Sequence, residues 1–120
     1  MTLYGIGKGI WTPLVDVYEG ECQTVVVVEL PGVDPEQTHL EVTPSTLTLG
    51  GVRKSLSYQG FSPMGMEIPS GQFERVVHLP SRVDTGAVEA VLENGLLIVT
   101  LRHSRPAAVS IPVRESGKAE

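Results

Sequence analysis

The chain has 120 residues, 41% hydrophobic and 19% charged, which bounds it to one domain with a core of its own. Nine Lys and Arg against 14 Asp and Glu leave a net charge of −5, and the scattered cations argue against a nucleic-acid partner. The longest apolar run, 25–28, is far short of the roughly 18–20 residues of a bilayer span, and residues 1–11 lack the pattern of a signal peptide. A single cysteine, Cys22, excludes an internal disulfide and fits a reducing cytoplasm.

In chain order, "LVDVYE" (14–19) alternates Val15 and Val17 with Asp16 and Tyr18, as a strand does. "TVVVVEL" (24–30) is a β-branched run, the pattern of a strand covered on both faces. Pro31-Gly32 ends it, and "DPEQ" (34–37) reads as a turn. "HLEVT" (39–43) places Leu40 and Val42 inward, and Pro44-Ser45 turns the chain into "TLTLGG" (46–51). Strands are predicted again at "QFERVVHL" (72–79), "AVEAVLE" (87–93) and "LLIVTLR" (96–102). The stretch 83–93 also tolerates a helix, because Val88, Val91 and Leu92 have helical spacing. Asn94-Gly95 decides for strand: it is the strongest short hairpin signal, and a hairpin needs a strand on each side. Short strands throughout, with almost no helix, describe a β-sandwich. Residues 55–70 form the one long irregular stretch, of the kind that is functional or reaches elsewhere.

No catalytic constellation is legible. His39, His78 and His103 are far apart and lack ligand spacing, so each reads as a surface or satisfied histidine. Glu41 and Asp34 near His39 form no recognised dyad. "GFSPMG" (60–65) has its second glycine one position late for a nucleophile elbow, and "GGVRKS" (50–55) is no phosphate loop. Cys22 follows Glu19 and Glu21, whose charge disfavours a thiolate. The chain reads as a non-enzyme with no cofactor and no metal.

The tail "RPAAVSIPVRESGKAE" carries one anomaly. Tails that bury nothing keep to polar and small residues. Here Ile111 and Val113 flank Pro112, which holds them extended with both side chains on one side. Such a peptide is suited to docking in an apolar groove.

"PLVDVYE", "VVVELPGVDPE", "LTLGGVR", "GQFERVVHLPSRVD" and "AVLENGLLIVTL", in this order and spacing, resemble the α-crystallin domain of small heat shock proteins, and Ile111-Pro112-Val113 resembles that family's C-terminal anchor. The resemblance implies an all-β, immunoglobulin-like β-sandwich at 11–103, a short N-terminal arm at 1–10 and a flexible C-terminal extension at 104–120. It implies a long loop bearing a dimer-exchanged strand, as in the bacterial, archaeal and plant branch, within 57–68 and centred on Met64, Met66, Glu67 and Ile68. Glu67 would then pair with Arg75 or another basic residue across the dimer. The anchor would dock on a neighbouring dimer between the strands of 39–43 and 87–93, with Leu40, Val42, Val88 and Leu92 as groove candidates. The partners implied are further copies of this chain and unfolding client proteins, and the activity is ATP-independent holding of clients. The alternative is an interaction or co-chaperone module of the same fold. Two features depart from the family: the N-terminal arm is very short, and "LRHSRP" stands where many relatives have Pro-Lys.

Overall fold

The computed structural model describes residues 9–105 and 110–117. Seven strands and one turn of 3-10 helix make two antiparallel sheets. The strands are β1 (Val15–Glu19), β2 (Gln23–Glu29), β3 (Thr38–Val42), β4 (Thr46–Arg53), β5 (Gly71–His78), β6 (Val83–Glu93) and β7 (Leu96–His103). One sheet has the order β1-β2-β7-β6, the other β3-β4-β5.

Alternation builds the core. Val26 and Val28 of β2, Leu97, Val99 and Leu101 of β7, Leu47 and Leu49 of β4, and Phe73 and Val77 of β5 all point between the sheets and are buried. Leu30, Val33, Val83 and Trp11 close the ends. Trp11 runs beside β5: its N–H donates to the Gln72 carbonyl at 3.0 Å, and its indole N–H to that of Gly71 at 3.1 Å. Its ring lies 5.3 Å from that of Phe73.

The all-β reading holds, and the ambiguous stretch is strand. β6 pairs with β7 from Glu93↔Leu96 to Val88↔Leu101, with a bulge before Val83↔His103. Asn94 (φ 53°) and Gly95 (φ 79°) make the left-handed turn that the hairpin needs. The predicted turn at 34–37 is the 3-10 helix Pro35–Gln37, capped by the Asp34 carboxylate, which accepts from the Glu36 N–H at 2.9 Å.

One expectation is corrected. β2 is covered fully on one face only. Val25 and Val27 are half-buried, because among the described residues nothing packs over the outer face of this sheet.

Candidate functional site

β3 is an edge of the three-stranded sheet and β6 an edge of the four-stranded one, and the two edges meet across an open mouth of the sandwich. Between them lies a cleft of about 160 Å³ lined by Leu30, Pro35, Thr38, Leu40, Ala90, Leu92 and Leu97. That is space for about five waters, enough to receive a branched aliphatic side chain. Of the groove candidates, Leu40 and Leu92 line the cleft. Val42 and Val88 lie further along the same strands, half-buried and packed against the core. Leu30, Pro35, Thr38, Ala90 and Leu97 complete the lining, though alternation alone does not show them to be close.

The tail presents its apolar pair to solvent. Ile111 is 77% exposed and Val113 95% exposed, so the anchor is unoccupied within its own chain.

The second appendage is the segment 54–70, which forms no strand within the chain. It carries Leu56, Tyr58, Phe61, Met64 and Ile68, between 66% and 94% exposed. Met66 is half-buried and Glu67 exposed. Near its tip the Phe61 N–H donates to the Tyr58 carbonyl at 3.1 Å, and the two rings meet edge to face at 6.2 Å. Among the described residues Glu67 and Arg75 form no ion pair within the chain. Arg75 instead donates from Nη1 to the Pro13 carbonyl at 3.1 Å.

Arg53, which sequence reading overlooked, holds the root of this arm. Its Nε and Nη2 both donate to the Pro69 carbonyl, its Nη1 donates to that of Pro31 at 3.2 Å, and its guanidinium carbon sits 4.2 Å from the centroid of Trp11. Burial pushes its pKa down and the Glu29 carboxylate pulls it back up. A usable signal was present. The parity 47-49-51-53 puts Arg53 on the core-facing side of β4, just beyond the core.

A second overlooked cluster lies at the opposite end of β7. Thr24 donates to Glu19 Oε1 at 2.6 Å, Ser81 donates to Glu19 Oε2, and His103 Nε2 lies 3.3 Å from Glu19 Oε1. The Ser81 and Thr24 hydroxyls, with the neighbouring His103 ring, hold the Glu19 carboxyl below the usual carboxylate range. A carboxyl lowered by folding contributes stability above its ordinary pKa and loses it as pH falls through the lowered value. Glu19→Gln is therefore expected to lower the melting temperature at neutral pH and to leave it little changed at strongly acid pH, so that the fall below about pH 4 flattens. An acid limb as steep as that of the unaltered chain would show that these hydrogen bonds do not act on Glu19.

The other two histidines, His39 and His78, are exposed on β3 and β5. Among the described residues no group of three His, Cys, Asp or Glu side chains is placed to hold a metal ion, and no helix is long and apolar enough to cross a membrane. Cys22 is an exposed free thiol in the β1–β2 turn.

A two-sheet sandwich with an apolar arm, an apolar cleft between sheet edges and an extended Ile-Pro-Val tail defines an α-crystallin-type domain. A profile of the Hsp20/alpha crystallin family matches residues 16–114, and the chain belongs to that family, the small heat shock proteins. It is 37% identical over 97 residues to heat shock protein 16 of Schizosaccharomyces pombe, spanning 78% of this chain and 67% of that one. Its fold is similar to that of a small heat-shock protein from Xylella fastidiosa, with a TM-score of 0.70, 28% identity, and coverage of 89% of this chain and all of the other. It is also similar to hspA from Xanthomonas axonopodis, with a TM-score of 0.69, 34% identity, and coverage of 83% of this chain and all of the other.

Proposed function

We propose that this protein is an ATP-independent chaperone of the holdase type, which binds partly unfolded proteins and keeps them from aggregating in a reducing cytoplasm. The carrying observation is the placement of its exposed apolar residues. Among the described residues, the large hydrophobics more than 75% exposed, Leu56, Phe61, Met64, Ile68, Ile111 and Val113, all lie on the arm and the tail, and the cleft between β3 and β6 stands open to receive such a segment. In this reading the arm 54–70 pairs with the sheet edge of a second copy to make a two-fold dimer, with Glu67 facing a basic residue of that copy. Covering an open edge is what an edge strand needs if it is not to aggregate.

The anchor Ile111-Pro112-Val113 then docks in the β3–β6 cleft of another dimer. Burying one Ile and one Val is worth at most roughly 3–6 kcal/mol, less the cost of ordering the linker. A single contact is reversible, and a closed set holds through effective concentration. The high-order structure named for the Xylella fastidiosa relative supports this kind of assembly.

The test is light scattering from a heat-denaturing client protein with and without an equimolar amount of this chain, no ATP being added. Suppressed scattering supports the holdase. Undiminished scattering, with the sandwich still folded, favours the interaction module instead.

A further inference from the structure

The arm is joined to the sandwich through a hinge, and one side chain pins that hinge. The β4–β5 ladder ends at Arg53↔Gly71, so all of 54–70 lies beyond the last paired position. Gly71 has φ 87°, and a Cβ there would meet nothing within 4 Å. What asks for glycine is therefore the left-handed backbone, at the point where the chain turns from the arm into β5. Two residues earlier stands Pro69, which has no N–H. Its carbonyl is the only backbone hydrogen-bonding group by which the arm can be held at that position.

Arg53 takes this carbonyl with two donors. Nε donates to it at 3.0 Å and Nη2 donates alongside, while Nη1 donates at 3.2 Å to the carbonyl of Pro31, just past β2. The same guanidinium lies 4.2 Å from the centroid of Trp11, whose indole N–H donates to the Gly71 carbonyl at 3.1 Å. The carbonyls of Pro69 and Gly71, on the two sides of the hinge, are thus held by two side chains in contact with each other. The tip has order of its own. Gly60 (φ 85°) turns it, the Phe61 N–H donates to the Tyr58 carbonyl, and their two rings meet edge to face. The arm is therefore shaped at root and tip while Leu56, Phe61, Met64 and Ile68 remain more than three-quarters exposed.

Closing the core over Trp11 would need only the flat face of the guanidinium. It does not call for two donors on Pro69, which belongs to the arm. We propose that Arg53 is a positioning residue for pairing: it pins the Gly71 hinge, so that 54–70 is aimed at a second copy of this chain before contact. An aimed arm has given up its freedom in advance, and association need not remove it. The consequence for pairing rests on the reading above that the arm meets a second copy, whereas the pin is a property of the single chain.

Arg53→Lys separates the two roles. Lysine keeps a cation beside Trp11 but is a point donor, without the planar fork that spans Pro69 and Pro31. The full chain is diluted and followed by analytical ultracentrifugation to the concentration at which half of it is single. In Arg53→Lys that concentration is expected to rise about tenfold, while the melting temperature falls by less than about 5 °C. A dye on Gln59→Cys, in a Cys22→Ser background, reports the arm in the single chain, since Cys22 is the only other thiol. Its fast anisotropy decay, on the nanosecond scale of loop motion, is expected to gain about twofold in amplitude when Arg53 becomes Lys.

An unchanged decay overturns the pin. A gain in fast decay with an unchanged half-association concentration overturns the aiming at a second copy. A melting temperature lowered by much more than 5 °C, with association weakened in proportion, makes Arg53 a packing residue and overturns the proposal. Met64→Asp with Ile68→Asp tests the underlying reading, because both side chains are exposed in the single chain. If that pair leaves association as tight as before, the arm does not make the dimer, and the anisotropy alone decides the pin.

Discussion

Gly51→Ala is expected to unfold the domain at temperatures that the unaltered chain survives. Gly51 has the core-facing parity of Leu47 and Leu49 on β4, and it pairs with Thr38 at the start of β3. A Cβ there would stand 2.2 Å from the Gln37 carbonyl oxygen and 2.8 Å from Cζ of Phe73. The first obstacle is backbone and the second a fully buried ring, so neither yields by a rotamer change. Relief requires moving the 3-10 helix and the start of β3, which carry Pro35 and Thr38 at the rim of the cleft. Overpacking a core costs about 1–3 kcal/mol where side chains can shift, and a backbone obstacle puts this case at about 3 kcal/mol or above. For a domain of this size that lowers the melting temperature by about 12 °C or more. Gly65→Ala on the arm is the control, since its Cβ meets nothing within 4 Å. Melts followed by circular dichroism decide it. A Gly51→Ala chain melting with the control would mean that β4 does not approach the 3-10 helix as described.

The second large effect falls on assembly, not on folding. Ile111→Ala with Val113→Ala is expected to collapse the oligomer toward dimers while the sandwich melts as before, because both side chains are exposed in the single chain. The two truncations remove most of the roughly 3–6 kcal/mol that each docked tail can contribute. A weak contact repeated around a closed assembly fails as a set. A companion variant distinguishes the docking place. Ala90→Phe fills the β3–β6 cleft from an exposed edge position, and it should reproduce the collapse if the anchor seats there. A full-size assembly in the tail variant removes the anchor from the account. Collapse in the tail variant with a full-size assembly in Ala90→Phe moves the docking site elsewhere.

Much of this molecule was legible locally. Alternation placed the strands, the Pro-Gly and Pro-Ser pairs marked their ends, and Asn94-Gly95 settled the last hairpin against a helical spacing of Val88, Val91 and Leu92. That spacing carried no helix because Val88, Ala90 and Leu92 share the face paired with Leu101, Val99 and Leu97, while Val91 points out. The anomaly of Ile111-Pro112-Val113 was equally plain, because an apolar pair in a polar tail needs no structure to be noticed.

What the chain could not state locally was contact between segments distant in sequence. Leu40 and Leu92 could be named as groove residues, but Ala90, Thr38 and Leu97 belong to the same cleft only because two sheet edges face each other. Arg53 reads as one cation among nine until Trp11, Pro31 and Pro69 are folded around it. Thr24 and His103 are 79 positions apart, and their meeting depends on the pairing of β2 with β7. Period-two alternation is a property of one strand and is written in its residues. Which strand lies opposite is decided by the packing of two sheets, and with it the necessity of Gly51, the cleft and the meeting of Thr24 with His103.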